Sequence, residues 1–167
     1  MLIRPEEPEG YSAVHTVNAA AFETPAEANL VEALRKQAYP VISLVVEEQG
    51  EIVGHILFSP VTLTGYAELK IIGLAPMAVL PRCQGRGIGT ALVKAGLAAC
   101  KEHGYGAVVV LGHTWFYPRF GFVASVHFGI RCEYDAPEEA FMVMELKPGY
   151  LEGAGGTIKF HPAFNEI

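Results

Sequence analysis

The chain reads Val79-Leu80-Pro81-Arg82-Cys83-Gln84-Gly85-Arg86-Gly87-Ile88-Gly89-Thr90-Ala91-Leu92 where its most apolar stretch meets its strongest helical pattern. Three glycines at alternate positions remove every Cβ from one side of a turn that enters a helix, so consecutive backbone N–H groups can approach a ligand closely. The N-terminus of a helix adds unsatisfied donors and a partial positive charge. This stretch therefore predicts an anion site that suits a pyrophosphate, and Arg82 and Arg86 are expected to add full charges nearby.

Two common phosphate-binding loops do not fit this spacing. The Walker loop requires GxxxxGK[ST], and no glycine here precedes Lys-Ser or Lys-Thr. The dinucleotide fingerprint requires GxGxxG and an acidic residue about 20 positions further on, beyond the helix. This loop is instead Gly85-x-Gly87-x-Gly89, and Glu102 belongs to the same predicted helix. A nucleotide-binding protein is therefore a disfavoured alternative, and a glycine-rich turn that serves only tight packing is another.

A strand–helix–strand unit surrounds this loop. Residues Ile71 to Leu80 are almost wholly apolar, which is typical of a central strand. Pro76 within that stretch lacks an N–H and so predicts a bulge or an edge. Apolar residues recur on one face from Gly87 to His103, which predicts a helix that Gly104 ends. Residues Ala107 to Leu111 then predict a strand parallel to the first, because a helix intervenes.

The remaining patterns predict further helices and strands in one α+β domain. Helical spacing predicts a helix over Tyr11 to Phe22 and a second one opened by the capping box Thr24-Pro25-Ala26-Glu27. A helix of one or two turns is expected at Trp115 to Phe120. β-rich runs predict strands at Leu2 to Arg4, Val41 to Glu48, Ile52 to Thr64, Val123 to Arg131 and Phe141 to Leu146, with a hairpin at Gln49-Gly50. We expect one domain over residues 1–148 and a tail over 149–167, docked on its own domain or on a neighbouring chain.

Composition limits the class of protein. The 167 residues carry 12 Lys and Arg against 18 Asp and Glu, a net charge of −6 that excludes a basic nucleic-acid module. Spanning a bilayer requires about 18 consecutive apolar residues, and the stretch Ile71 to Leu80 reaches about half of that. The glutamates and prolines of Met1 to Gly10 do not resemble a secretory signal. We therefore expect a cytoplasmic protein with no nucleic-acid and no membrane partner, and its apolar composition is compatible with a homodimer.

Cysteine and histidine usage gives no sign of a metal centre. The three cysteines form no CxxC pair, which fits a reducing compartment. The six histidines are scattered, without an HExxH pattern or a Cys/His cluster at zinc spacing. We therefore expect no metal.

The loop and a second segment together resemble a known family. Gln84 to Gly89 is similar to the Q/R-x-x-G-x-G/A signature of the GNAT superfamily of acyl-CoA-dependent N-acetyltransferases. Phe116 to Phe122 is similar to the Tyr-x-x-x-Gly-Phe segment of that family, and the strand before the loop ends in Val79-x-Pro81 as it does there. The surrounding stretches look like a poorly characterised bacterial branch of predicted N-acetyltransferases.

This resemblance implies a fold, a cofactor and an activity. The fold is a mostly antiparallel mixed sheet, splayed between strands 4 and 5 and flanked by helices. The activity is transfer of an acetyl group from acetyl-CoA to a primary amine, of a small molecule or a peptide, by direct attack in a ternary complex. A catalytically silent acyl-CoA-binding regulatory module is the alternative. The implied cofactor contacts are Met77, Ala78, Val79, Gln84, Gly85, Arg86, Gly87, Ile88, Gly89, Thr90 and Tyr117.

The resemblance also implies catalytic roles. The N–H of Val79 is expected to face the carbonyl of the thioester, and Tyr117 matches the tyrosine that donates a hydrogen bond to the leaving thiolate. His113 follows a strand directly and precedes Tyr117 by four residues, which makes it a candidate base, since histidine ordinarily titrates near neutral pH. His55 and Glu23 are further candidates, and a base can also be absent altogether.

Other residues have roles that the sequence leaves open. Cys83 lies where a helix N-terminus and two arginines favour a reactive thiolate, so it is either a redox-sensitive or nucleophilic thiol or an incidental exposed cysteine. Trp115 and Phe116 either cover the mouth of the acceptor site or pack in the core. The contacts to the acceptor are expected from variable segments such as Phe22 to Asn29 and the tail, and they do not reveal which amine is used.

Overall fold

The structure, a computed structural model, describes residues 1–166 and builds them into three α-helices and nine β-strands. The helices are α1 (Tyr11–Ala21), α2 (Ala26–Gln37) and α3 (Ile88–Glu102). The strands are β1 (Leu2–Pro5), β2 (Ile42–Glu48), β3 (Glu51–Leu63), β4 (Ile71–Val79), β5 (Ala107–Leu111), β6 (Val123–Ala124), β7 (Ile130–Cys132), β8 (Phe141–Glu145) and β9 (Gly156–Lys159). No helix within residues 1–166 combines the length and the apolar character needed to cross a membrane.

The strands form a mostly antiparallel sheet in the order β1-β2-β3-β4-β5-β8-β6, in which β4 and β5 are parallel neighbours. The ladder between β4 and β5 ends where Gly73 pairs with Val109, while β4 continues to Val79. The two strands therefore separate, and the edge of β4 that faces β5 lacks a ladder partner beyond Gly73. The prediction of an α+β fold with a sheet splayed between strands 4 and 5 is confirmed.

The β4 strand also has an irregular register around Pro76. Its ladder with β3 pairs Met77 with Ile56 and Leu74 with Phe58, so two residues of β4 stand opposite one residue of β3. A proline cannot donate to a ladder, and a bulge accommodates it in a central strand. Pro76 predicted a bulge or an edge, and the structure forms the bulge.

Different helices cover the two faces of the sheet. On one face Phe58 packs in a buried cluster with Leu92 of α3. On the other face Leu57 packs in a cluster with Leu34 of α2 and with residues of α1. Adjacent residues of a strand point to opposite faces, so Leu57 and Phe58 belong to different cores. The gap between β4 and β5 is bordered by both of these layers.

The segment that follows β8 lies against the same domain. Its strand β9 pairs antiparallel with the end of β3 and parallel with β7. Phe160 then packs against the cluster beneath α2, and a 3-10 turn over Pro162–Glu166 buries Phe164 in that cluster. The segment thus extends the face of the sheet that carries α1 and α2. The last residue of the predicted tail, Ile167, lies outside the described residues.

The prediction of one strand over Val123 to Arg131 is wrong. Two short strands, β6 and β7, flank a 3-10 turn over Ser125–Phe128, and Gly129 follows with a φ of 69°. The strand β6 pairs with β8, whereas β7 pairs with β9, so the chain changes its partner between them. The alternation of apolar residues does not reveal such a change of partner, because β6 and β7 each keep one side that is more buried than the other.

The capping box predicted for α2 is formed only in part. The hydroxyl of Thr24 accepts a hydrogen bond from the N–H of Ala26 at 3.3 Å, and Pro25 occupies the N-cap position instead of the first helical position. The Glu27 side chain does not return to Thr24. Its Oε1 atom is buried, and none of residues 1–166 forms a hydrogen bond with it.

Candidate active site

A cleft of about 470 Å³ lies where β4 leaves β5, beside the N-terminus of α3. It brings together the end of β4, the glycine-rich loop and the segment that follows β5. All of the implied cofactor contacts except Arg86 line this cleft, and so does the candidate base His113. The lining residues are Ala21, Phe22, Met77, Ala78, Val79, Cys83, Gln84, Gly85, Gly87, Ile88, Gly89, Thr90, His113, Trp115, Phe116, Tyr117 and Arg119.

The glycine-rich loop presents free backbone donors to the cleft. Gly87 is the N-cap of α3 and has a φ of 83°, a left-handed conformation that favours glycine. A Cβ at this position would meet only open space. The first helical hydrogen bond runs from the N–H of Ala91 to the carbonyl of Gly87 at 3.1 Å. The N–H groups of Ile88, Gly89 and Thr90 consequently have no acceptor within residues 1–166, as expected at a helix N-terminus.

The end of β4 directs another donor into the gap. The N–H of Leu80 donates to the carbonyl of Val53 on β3 at 2.9 Å. Neighbouring residues of a strand present their N–H groups to opposite sides, so the N–H of Val79 points away from β3 and towards the gap. The amide of Gln84 donates to the carbonyl of Val79 at 3.0 Å and so ties the loop to the end of the strand.

The two arginines of the loop are bound to the hairpin between β2 and β3. Arg82 donates to Glu51, and Arg86 donates to both carboxylate oxygens of Glu48 at 3.1 Å. Each positive charge is therefore compensated by a glutamate. The cleft lining excludes both arginines, so neither contributes the free charge that the sequence suggested.

Arg119 supplies a cation that the sequence analysis missed. It lies in the 3-10 turn Tyr117–Phe120, and its Nη2 donates to the hydroxyl of Thr90 at 2.8 Å. Its guanidinium carbon stands 5.0 Å from the centroid of the Phe116 ring. Arg119 thereby places a positive charge beside the first turn of α3. Its position two residues after Tyr117, within the second recognised segment, was the available signal.

Tyr117 is held in the wall of the cleft by its neighbours. Its ring packs edge-on against Phe116 and Phe122, with centroid distances of 5.0 and 5.7 Å. Burial raises the pKa of the Tyr117 hydroxyl to about 12. No group within residues 1–166 forms a hydrogen bond with this hydroxyl. A protonated phenol without a protein partner, at the edge of a cleft, is suited to donate a proton to a bound ligand.

An aromatic rim at the cleft is formed by His113, Trp115 and Phe116. His113 is exposed and stacks on Trp115 with a centroid distance of 5.3 Å. Trp115 is 70% exposed, so it lies at the mouth of the cleft and does not pack in the core. Phe116 does both, since it lines the cleft and packs against the cluster beneath α3.

The other two candidate bases lie away from the cleft. His55 is fully buried: its Nδ1 accepts from Asn18 at 3.1 Å, and its Nε2 donates to Ser43 at 2.8 Å. Burial, and secondarily the charge of Arg35, lowers the pKa of His55 to about 3, so this imidazole is neutral at ordinary pH. Glu23 is exposed and does not line the cleft. Of the three predicted candidates, His113 is the one that lines the cleft.

Cys83 lines the cleft but is buried, with 1% of its surface exposed. The expectation of an incidental exposed cysteine is therefore wrong, and a buried thiol is also poorly placed for oxidation from solution. The side chain of Arg82 donates to its sulfur at 3.5 Å. Within residues 1–166 no cluster of three His, Cys, Asp or Glu side chains has the arrangement needed to hold a metal ion.

Comparison with known proteins agrees with this geometry. Residues 9–122 match the family model described as Acetyltransferase (GNAT) family. The chain is 38% identical over 168 residues to the uncharacterized N-acetyltransferase YhbS of Escherichia coli K12, and the match covers all of both chains. It is also 38% identical over 132 residues to the uncharacterized N-acetyltransferase YjhQ of that strain, covering 77% of this chain and 73% of the relative.

Two similar proteins have been crystallised with ligands. The GNAT family N-acetyltransferase YhbS from Escherichia coli in complex with CoA has a TM-score of 0.93 and 38% identity, covering 98% of this chain and 91% of its own. A GNAT family acetyltransferase from Brucella melitensis in complex with acetyl-CoA has a TM-score of 0.80 and 36% identity, covering 98% and 97%. The glycine-rich start of α3 and the splayed sheet agree with the match to the family model and with the full-length relative. The chain therefore belongs to the GNAT family of acetyltransferases.

Proposed function

We propose that this protein transfers the acetyl group of acetyl-CoA to a primary amine, of a small molecule or a peptide, by direct attack in a ternary complex. The observation that carries the proposal is that free donors at the start of α3 and the unpartnered hydroxyl of Tyr117 line one cleft. Two similar proteins bind CoA and acetyl-CoA in their crystals, which supports the choice of ligand.

The chain's own groups suit the parts of this ligand. The N–H groups of Ile88, Gly89 and Thr90, with the dipole of α3, bind the diphosphate, and Arg119 adds a full charge beside them. The unpaired edge of β4 over Met77 to Val79 offers backbone hydrogen bonds to the extended pantetheine arm. These contacts aim the thioester at the gap between β4 and β5.

Three groups then act on the reacting atoms. As the nitrogen of a neutral amine forms its bond to the carbonyl carbon, the N–H of Val79 stabilises the negative charge that grows on the carbonyl oxygen. The carbon–sulfur bond breaks, and Tyr117 donates its proton to the departing sulfur. The proton lost by the nitrogen passes through His113 or water, and Tyr117 regains one proton from solution. The products are the amide and free CoA.

One experiment tests binding and chemistry together. Melting of the protein is followed with acetyl-CoA, ATP and NAD in parallel, and release of free thiol is followed with a panel of primary amines. A ligand at 100 times its dissociation constant stabilises the fold by about 2.7 kcal/mol, a shift of several degrees. We expect this shift with acetyl-CoA alone, and thiol release that depends on the amine. Stabilisation by ATP or NAD but not by acetyl-CoA contradicts the binding site.

If the protein is instead a catalytically silent regulatory module, the melting and thiol-release measurements give a different pair of results. It gives the same melting shift with acetyl-CoA, but thiol is released slowly with every amine. The free hydroxyl of Tyr117 favours the enzyme, because a pure sensor has no use for a proton donor near the sulfur. We also propose that the protein acts in the cytoplasm, on the ground that its three cysteines are free thiols.

A further inference from the structure

A second cavity, of about 510 Å³, opens on the other face of the sheet. It is lined by Ala75, Leu111, Tyr134, Phe160, Phe164 and Asn165. Phe164 belongs to the cluster beneath α1 and α2, and Ala75 and Phe160 pack against that cluster. The cofactor cleft instead adjoins the cluster beneath α3, to which Tyr117 belongs. The two cavities thus lie on opposite faces.

The same two strands border both cavities. On β4, Ala75 faces the second cavity, and Met77, two residues further on, faces the cofactor cleft. At the end of β5, Leu111 faces the second cavity, and His113, two residues further on, faces the cleft. The β4–β5 ladder has already ended by these positions. A nitrogen in the second cavity therefore needs only to reach through the gap between the strands to meet a thioester in the cleft.

The walls of the second cavity are mainly apolar, and three of its six lining residues are aromatic. The Phe160 ring stacks near Tyr134 at 5.8 Å between centroids and lies 5.2 Å from the centroid of Phe164. Leu111 is 41% exposed, an unusual fraction for a leucine at the end of a central strand. The Tyr134 hydroxyl is already engaged, since it donates to Asn165 at 2.9 Å. Such walls favour a ligand with an apolar body over one covered in hydroxyls or carboxylates.

The loop that carries Tyr134 is acidic. Tyr134 comes from the loop between β7 and β8, and that loop also carries the exposed carboxylates of Asp135, Glu138 and Glu139, with no Lys or Arg between residues 133 and 140. The end of the loop is held against the end of β5, because the N–H of Gly112 donates to the carbonyl of Ala140 at 3.0 Å. Together with the net charge of −6, this acidic loop attracts ammonium groups.

We propose that this cavity binds the acceptor, and that the acceptor is a primary amine attached to an aromatic or similarly bulky apolar group. The inference rests on the proposed acetyl transfer and specifies its substrate class. The apolar body lies on Phe160, Phe164 and Leu111, and the amine nitrogen points between Ala75 and Leu111 towards the cleft. Small hydrophilic amines and polyamines lack the surface that these rings bury.

The test compares 2-phenylethylamine with ethylamine and putrescine in the full-length protein. Burial of a phenyl group on the aromatic wall predicts a kcat/KM for 2-phenylethylamine that exceeds that for ethylamine by about ten-fold or more. In Phe160→Leu this advantage falls by about three- to ten-fold, while kcat/KM for ethylamine changes by less than about two-fold. Equal kcat/KM for the three amines overturns the inference.

A second variant, at an exposed residue of the same cavity, keeps the inference testable if Phe160→Leu folds poorly. Leu111→Ser replaces a side chain that is 41% exposed, and its matched control is Val126→Ser, at a residue that is 45% exposed in the turn between β6 and β7 and lines neither cavity. We expect Leu111→Ser to reduce the preference for 2-phenylethylamine and Val126→Ser to leave it unchanged. A preference that survives both Phe160→Leu and Leu111→Ser overturns the inference.

A binding measurement separates this inference from the proposed function. Titration of 2-phenylethylamine into the protein with saturating CoA is followed by ligand-observed NMR, which needs no turnover. Binding that Phe160→Leu weakens, without transfer to any amine, supports the cavity and overturns the acetyltransferase. Transfer that proceeds equally to ethylamine supports the acetyltransferase and overturns the cavity. If 2-phenylethylamine does not bind and no amine is acetylated, both the cavity and the acetyltransferase are overturned.

Discussion

The Tyr117 ring lies so close to Gly112 that a Cβ at Gly112 would stand 2.6 Å from the ring atom Cε2. Gly112 is the first residue after β5, at the place where the strand has parted from β4. The absence of a side chain there allows the ring to pack closely against the backbone. The position of the proposed proton donor is therefore set by a glycine five residues earlier in the chain.

We expect Gly112→Ala to displace Tyr117 and to lower kcat by about ten-fold or more, since a misplaced general acid loses much of its effect. The KM for acetyl-CoA should change little, because the loop and the start of α3 are untouched. Steady-state kinetics with a saturating amine measures both quantities. The matched control is Gly10→Ala, where the added Cβ meets the end of the Ile52 side chain at 3.0 Å and neither residue lines the cleft. Equal losses in the two variants would show that the effect is general.

Tyr117→Phe removes the hydroxyl and keeps the packing of the ring. We expect kcat to fall by tens-fold or more, because general acids typically contribute about 10²- to 10⁴-fold in rate, while the melting shift with acetyl-CoA is kept. Wild-type turnover in this variant, at a saturating amine, would remove Tyr117 from the mechanism.

The pH dependence of turnover gives a second check on Tyr117. The donor must be protonated, and burial raises the pKa of Tyr117 to about 12. Wild-type kcat should therefore show no loss from this group as the pH rises through 10, where an ordinary tyrosine loses its proton. A fall in kcat with an apparent pKa near 10, absent from Tyr117→Phe, would assign the titration to Tyr117 and contradict its raised pKa.

The buried His55 predicts a loss of stability in acid. Its folded pKa is lowered from 6.5 to about 3, so between these values the unfolded chain binds a proton that the folded chain does not. The free energy of unfolding therefore falls as the pH drops below 6.5, by up to about 1.4 kcal/mol per pH unit from this group. Urea unfolding at several pH values between 7.5 and 4.5 measures the slope.

A pair of variants isolates the contribution of His55. His55→Gln should flatten the dependence of unfolding free energy on pH below 6.5, whatever its stability at neutral pH. His127→Gln removes an exposed histidine of the turn between β6 and β7, and should keep the wild-type slope. An unchanged slope in His55→Gln assigns the acid sensitivity to other groups.

The arginines around the cleft should contribute unequally to cofactor affinity. Arg119 stands beside Thr90 at the start of α3, whereas Arg86 is held by Glu48 outside the cleft. We expect Arg119→Gln to raise the Kd for CoA by about three- to ten-fold and Arg86→Gln by less than about two-fold. Calorimetric titration of both variants measures this difference. An equal weakening would place Arg86 on the phosphates.

Local chemistry made much of the site predictable. Alternate glycines followed by a helical pattern locate the loop, and Pro76 marks the bulge, because each feature acts within a few residues of itself. The parallel strand at Ala107 to Leu111 follows from the helix before it. The Phe116 to Phe122 segment indicates that Tyr117 lies beside the loop. The sequence does not reveal whether the Tyr117 hydroxyl has a hydrogen-bond partner in the protein.

The features that sequence missed depend on distant partners. Arg86 is withdrawn from the cleft by a glutamate 38 residues away, so its charge could not be assigned from the loop alone. His55 is of a residue type that can act as a base, but its burial and its hydrogen bonds with Asn18 and Ser43 make it a structural group. The division of Val123 to Arg131 reflects a change of strand partner, which leaves the apolar pattern intact.

The long pairing of β4 with β3 has a thermodynamic consequence for ligand binding. Because β3 holds β4 up to the Gly54–Val79 pair, the free edge of β4 is already ordered before any ligand arrives. Association then requires little additional loss of backbone entropy, which is the advantage of a preorganised groove. The heat-capacity change on binding should accordingly match the apolar area covered by the ligand, without the larger signature of a chain that folds around it.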